Sequence, residues 1–171
     1  RSHVISPLSP VIPTKAKMTK QRICIAPMMQ YTNRHFRYFI RLMNQDVWLY
    51  SEMITADTIL HAKNAPGLLA FHPSEHPVAL QLGGSDPGKL AQSTQLAVEQ
   101  YGYDEINLNI GCPSDRVKSG RFGACLMKEP DSVACCIESM KKVAGEIPVT
   151  VKTRIGVDDL DSYDYLKQFI R

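Results

Sequence analysis

The chain has 171 residues, 44% hydrophobic and 22% charged, with 10 Gly, 11 Pro, 5 Cys and 1 Trp, which excludes collagen-like, disordered and disulfide-scaffold classes. No run of 18 apolar residues occurs, so no segment reads as membrane-spanning, and five Cys without a C-x-x-C pair argue against a zinc ribbon or other metal site and for a reducing compartment. The net charge of +3 is uneven: Arg1, Lys15, Lys17, Lys20 and Arg22 are set against no acid in the first 22 residues, while the rest carries 15 basic and 17 acidic groups.

Residues 1–21 hold Pro7, Pro10, Pro13 and three Ser with no period of 2 or 3.6, and are expected to be a disordered basic arm. An acid-free basic start is compatible with the remains of an organelle transit peptide and equally with a solvated tail, so cytoplasmic and organellar (chloroplast or mitochondrial) locations both stay open. Residues 22–171 form the body. Ile23 to Met28 is a strand candidate, followed by a helix from about Asn33 to Met43. Val47 to Met53 is the next strand, with a helical turn or two after Thr55. Asn64 to Pro77 reads as a loop. Val78 to Leu82 is a third strand, and Pro87 to Tyr101 a helix capped by Ser85 or Asp86. Glu105 to Ile110 is a fourth strand, Asp131 to Val143 a helix capped near Asp131, Val149 to Arg154 a fifth strand, and Tyr163 to Ile170 begins another helix.

Alternating strands and helices without a hairpin signal predict a parallel sheet of βαβ units. Strand starts at about 23, 47, 78, 105 and 149 match the repeat length of a TIM (β/α)₈ barrel. A doubly wound sheet is the competing fold, but no G-x-G-x-x-G follows the first strand. Five strands make only part of a barrel. The chain is therefore expected to be a truncated piece, carrying the first five βα units.

Period-two geometry then separates the strand faces. Val78, Leu80 and Leu82 oppose Ala79 and Gln81. Ile106, Leu108 and Ile110 oppose Asn107 and Asn109, and Val149, Val151 and Thr153 oppose Thr150, Lys152 and Arg154. With the apolar face against helices, Gln81, Asn109, Lys152 and Arg154 would converge at the rim where barrel enzymes keep their sites. A buried Lys is costly unless paired or used in chemistry. Gly111 and Pro113 shape a turn that would hold the Cys112 thiol at this mouth, with Cys125 on the same long loop as its rival. Cys24, Cys135 and Cys136 read as core.

Ala26-Pro27-Met28-Met29, Val78-Ala79-Leu80-Gln81-Leu82-Gly83-Gly84, Asn107-Leu108-Asn109-Ile110-Gly111-Cys112-Pro113 and Val151-Lys152-Thr153-Arg154-Ile155-Gly156 occur in that order. Together they resemble the tRNA-dihydrouridine synthases, and Asp104 to Met127 is similar to the A-type subgroup. The resemblance implies a flavoenzyme on a TIM barrel, reducing uridine to 5,6-dihydrouridine in the tRNA D-loop around position 20, with FMN as cofactor and NADPH as reductant. It implies that Pro27, Met28 and Met29 pack on and bond the flavin, that Gln81 and Lys152 bond its ring, and that Cys112 is the proton donor. Asn109 would hold the uracil or its ribose, and Arg154 would contact substrate. The partner is tRNA, its flipped uridine reaching the barrel mouth. Arg116, Lys118 and Arg121 beside Cys112 form a local basic patch suited to RNA or to solvent. A complete member would add three βα units, phosphate-binding loops and a C-terminal helical domain. Two other readings stand beside it: an FMN barrel dehydrogenase of free pyrimidines such as dihydroorotate, and a non-catalytic truncated tRNA-binding fragment.

Overall fold

A computed structural model describes residues 23–114, 117 and 119–171. The expected basic arm, and Arg116 and Lys118 of the expected basic patch, lie outside the described residues. The described chain folds as five consecutive βα units of a (β/α)₈ barrel. Its five parallel strands hydrogen-bond in the order of the sequence.

β1 is Cys24–Ile25 only, shorter than the apolar run predicts. Pro27 has no N–H to offer a neighbouring strand, and the chain turns away, with Thr32 N donating to Met28 O at 3.0 Å. α1 (Arg34–Met43) starts where Asn33 accepts from the backbone N–H groups of His35 and Phe36. The helix buries Arg37 and Arg41, one turn apart, and exposes Phe39, Leu42 and Met43. Arg37 Nε pairs with Glu75 at 2.7 Å, and Arg41 donates to the Gln45, Glu75 and Pro77 carbonyls.

β2 (Trp48–Thr55) carries a register shift between Tyr50 and Met53, and α2 (Ala56–His61) follows directly. The expected loop at 64–77 instead contains α3 (Ala65–Leu69) and a 3₁₀ turn, Pro73–Glu75. Burial drives this: Ala65 and Leu69 enter the core, and Tyr103 Oη donates to Leu69 O at 2.8 Å. β3 (Val78–Gly83) is buried throughout. α4 (Pro87–Leu96) is capped by Asp86, whose carboxylate accepts from Lys89 N at 2.9 Å, and runs on into a π turn at Ala97–Tyr101.

β4 (Glu105–Ile110) leads through the long loop to a 3₁₀ segment, Gly123–Lys128. α5 (Pro130–Ala144) begins on Pro130 without a side-chain cap. Asp131 thus sits inside the first turn, where its charge complements the helix dipole, and not at the cap. β5 (Val149–Thr153) and α6 (Tyr163–Phe169) complete the described chain.

The core confirms the face assignment on β3 and β4. Leu80, Leu82, Ile106, Leu108 and Ile110 are fully buried with Leu90, Cys136 and Met140 of the covering helices. Two of the three cysteines read as core are not. Cys24 is exposed because β1 is an edge strand, and Cys135 because it lies on the outer side of α5; only Cys136 is buried. Burial pushes the Cys136 thiol up to about 11.

Candidate active site

A pocket of about 260 Å³ is lined by Cys24, Ala26 and Pro27 from β1 and its turn, Tyr50 from β2, Asn107 from β4, and Thr150, Val151 and Lys152 from β5. β1 and β5 are opposite edges of the sheet in hydrogen-bonding order. Their sharing one pocket means that the sheet curls, as a barrel wall must. The lined space lies on its inner side, with an apolar flank from Ala26, Pro27 and Val151 beside the polar groups of Asn107, Thr150 and Lys152.

A ladder of side chains climbs this inner side. Glu105, 3% exposed, accepts from Tyr50 Oη at 2.8 Å and from Thr150 Oγ1 at 2.5 Å. Asn107 Nδ2 donates to Thr150 Oγ1 at 2.8 Å, and its Oδ1 accepts from Gln81 Nε2 at 2.8 Å. Gln81 Oε1 accepts from Asn109 Nδ2 at 3.0 Å. Asn109 Oδ1 finally accepts from the backbone N–H of Gly111 at 3.1 Å and of Cys112 at 3.0 Å. Burial, reinforced by the hydrogen bond to Glu105, pushes the Tyr50 phenol far above its usual range, so it stays a donor. Burial and the Glu105 carboxylate likewise push the Cys24 thiol up.

The Cys112 loop is held from a second side. Ala124 N donates to Cys112 O at 2.9 Å, and Gly123 makes that approach at φ +71°. A Cβ there would stand 2.6 Å from Cys112 O and 2.3 Å from Val117 Cγ1. Gly111 packs against the β5 backbone, where a Cβ would lie 3.1 Å from Thr153 C. The half-buried Cys112 thiol donates to Ser114 Oγ at 3.4 Å. Cys125, the rival thiol, donates to Phe122 O at 3.0 Å within its own 3₁₀ turn.

The ladder links Gln81, Asn109 and the Cys112 backbone, and Lys152 is the registered β5 neighbour of Asn109; of these four residues, Lys152 lines the pocket and the other three do not. Pro27 lines the pocket together with Lys152. Met28 and Met29 are exposed on the adjoining turn, which Thr32 Oγ1 holds by accepting from Met28 N at 3.0 Å. Two expectations are corrected. Lys152 is exposed and not buried, because β5 is an edge strand whose Val151 is exposed as well. Arg154 lies beyond the end of β5 with an exposed side chain, outside the pocket lining, and approaches Gly111 through its backbone.

Tyr50, Glu105, Asn107 and Thr150 were not singled out as site residues. For three of them a signal exists: Glu105 and Asn107 are in period-two phase with Asn109, and Thr150 is in phase with Lys152. Tyr50 carries no comparable mark. Arg121 of the expected basic patch is exposed at φ 53°. Among the described residues no group of three or more His, Cys, Asp or Glu could hold a metal ion, and no helix is long and apolar enough to cross a membrane.

The family model described as "Dihydrouridine synthase (Dus)" matches residues 24–171. The tRNA-dihydrouridine(20/20a) synthase of Vibrio vulnificus (strain CMCP6) is 59% identical over 149 residues, 87% of this chain and 44% of that protein. The protein of the same description from Shewanella oneidensis is 56% identical over 155 residues, covering 91% of this chain and 45% of its own length. That of Escherichia coli (strain K12) is 58% identical over 149 residues, covering 87% and 42%. The chain thus spans under half the length of these curated relatives.

Proposed function

Because this chain belongs to the dihydrouridine synthase family, we propose that the protein reduces uridine to 5,6-dihydrouridine in the D-loop of tRNA, around position 20, with FMN as cofactor and NADPH as reductant. The observation that carries the reading is the ladder from the pocket to the Cys112 backbone, which ties a thiol-bearing loop to a cleft bearing an ammonium group. The similar tRNA-dihydrouridine(20/20a) synthases support the choice of position.

The residues present fit a flavin ring. Ala26 and Pro27 offer an apolar flank, while Lys152 and Asn107 face the same space with the charge and amide that a polar heterocycle edge requires. Lys152 would stabilise negative charge on the reduced ring's pyrimidine edge. Gln81 has one Nε2–H and one Oε1 lone pair beyond its ladder bonds, and would offer these to the same edge. Pro27, Met28 and Met29 would pack along it. When bound, the cofactor supplies a hydride to C6 of the uracil, replenished from NADPH.

Cys112 would hold the proton for C5. Its thiol gives that proton up, is left as the thiolate, and recovers a proton from solvent, so each turnover takes one hydride and one proton. The thiol must therefore be protonated beforehand. Asn109 has its Oδ1 taken by the loop and one amide N–H by Gln81. Its second N–H would hold the uracil or ribose, and Arg154 would make an outer contact to the RNA.

The test is dihydrouridine formation on unmodified tRNA by the full-length protein with NADPH. Cys112→Ala should lower turnover by about 10²–10⁴-fold while flavin is retained. Unimpaired turnover would remove Cys112 from the acid role, and reduction of free dihydropyrimidine-forming substrates in place of tRNA would overturn the reading.

A further inference from the structure

The foot of the ladder decides the direction of everything above it. A carboxylate only accepts hydrogen bonds. Thr150 must therefore spend its one hydroxyl proton on Glu105, at 2.5 Å, and keeps only lone pairs for other neighbours. Asn107 can address those lone pairs only through Nδ2, which turns its Oδ1 toward Gln81. Gln81 answers with Nε2, which turns its Oε1 toward Asn109. Asn109 answers with Nδ2, leaving its Oδ1 facing the loop. The loop ends the chain with two backbone N–H groups, which only donate.

Both ends thus demand the same polarity. Reversing one amide would set oxygen against oxygen, or N–H against N–H, at two places inside a buried site. Asn107 and Gln81 are 2% and 1% exposed, so water is a poor substitute partner.

We propose that Glu105, Thr150 and Asn107 are positioning residues. They fix the amide orientation of Gln81 and Asn109, and through Asn109 they hold the Cys112 backbone at the pocket. Their effect on turnover rests on the function proposed above; their effect on the loop does not. Tyr50, a second donor to Glu105, keeps the carboxylate oriented at the foot of the relay.

Thr150 allows hydroxyl and shape to be separated. Thr150→Val keeps the branched shape and removes the hydroxyl, whereas Thr150→Ser keeps the hydroxyl and removes the methyl. In the full-length holoenzyme, amide hydrogen exchange is measured at Gly111 and Cys112, together with kcat and KM on unmodified tRNA. Thr150→Val is expected to speed exchange at both amides by about tenfold, the size of one lost net hydrogen bond. It should lower kcat by a similar factor, with KM changed less than about threefold. Thr150→Ser should restore both readouts to within about threefold of the wild type.

Unchanged exchange in Thr150→Val overturns the proposal, and so does an equal effect of Val and Ser, which would indicate packing alone. Should Thr150→Val fail to fold, Asn107→Asp takes its place: it still accepts from Gln81 but cannot donate to Thr150, and wild-type exchange there overturns the relay. If the wild-type protein forms no dihydrouridine, the functional reading falls while the exchange comparison still decides the relay.

Discussion

Among the described residues, two buried polar networks are built differently. Beneath α1, Arg37 meets Glu75 at 2.7 Å, with side chains 4% and 1% exposed, and Arg41 is spread over backbone carbonyls. Arg37 and Glu75 neutralise each other there, Arg41 donates only to carbonyl dipoles, and Glu75 also accepts from His72 N, closing the 3₁₀ turn onto the helix. In the pocket wall, Glu105 is held by two hydroxyls, and the network continues through three amides to a loop. Among the described residues no salt bridge reaches Glu105. The closed network fastens α1 to the 3₁₀ turn that precedes β3. The open one delivers orientation to a pocket, which requires directional amides and hydroxyls more than charge.

The largest effect should come from opening the closed network. Arg37→Ala strands the Glu75 carboxylate in the interior and should cost roughly 3–5 kcal/mol, read as a lower urea midpoint. A loss below about 1 kcal/mol would show that the pair is not what secures α1. Next comes the loop at the end of the open network. Gly123→Ala sets a Cβ 2.3 Å from Val117 Cγ1 at φ +71°, and should cost about 1–3 kcal/mol. Displacing Cys112 in this way should lower turnover about 10²-fold, a larger loss than the folding cost alone explains. Equal turnover per folded molecule would separate the 3₁₀ segment from the site.

The smallest effect belongs to an exposed pair that neither network uses. Lys89 Nζ lies 2.7 Å from Asp57, and its hydrogen bond and charge hold the Asp57 carboxyl below 3.8. Its contribution is present above that unfolded value and is lost as pH falls through the lower, folded one. Lys89→Met should therefore differ slightly from the wild type at neutral pH and converge with it only in acid, once pH has fallen below that lower, folded value. Added salt should shrink the difference further. A difference that persists in acid would assign the effect to packing.

Much of this is legible in the sequence. The five strands, their parallel order and the inward face of Gln81, Asn107, Asn109, Thr150 and Lys152 follow from alternation, because a strand sends successive side chains to opposite sides whatever surrounds it. A cap at Ser85 or Asp86, which the structure assigns to Asp86, and the Gly-Cys-Pro turn are local in the same sense. Other features were not legible. Cys24 was expected in the core and lies on an edge, and Lys152 was expected buried and is exposed, since whether a strand is covered depends on the sheet around it. The burial of two arginines under α1 inverts the usual reading of an amphipathic helix.

What the sequence by itself determined, then, is periodicity: which residues form strands, which face each takes, and which family the motifs resemble. The opening numbers set only loose bounds, and the +3 charge says little about the pocket, which carries one ammonium group and one side-chain amide beside apolar residues. Tertiary structure alone decided the partners. Arg37 finds Glu75 across 38 residues, Thr150 finds Glu105 across 45, and Tyr50 reaches the same carboxylate across 55. Periodicity is a property of covalent geometry and survives in any short window. A hydrogen-bond partner is chosen by how the sheet curls, and that is settled only when the whole wall has packed.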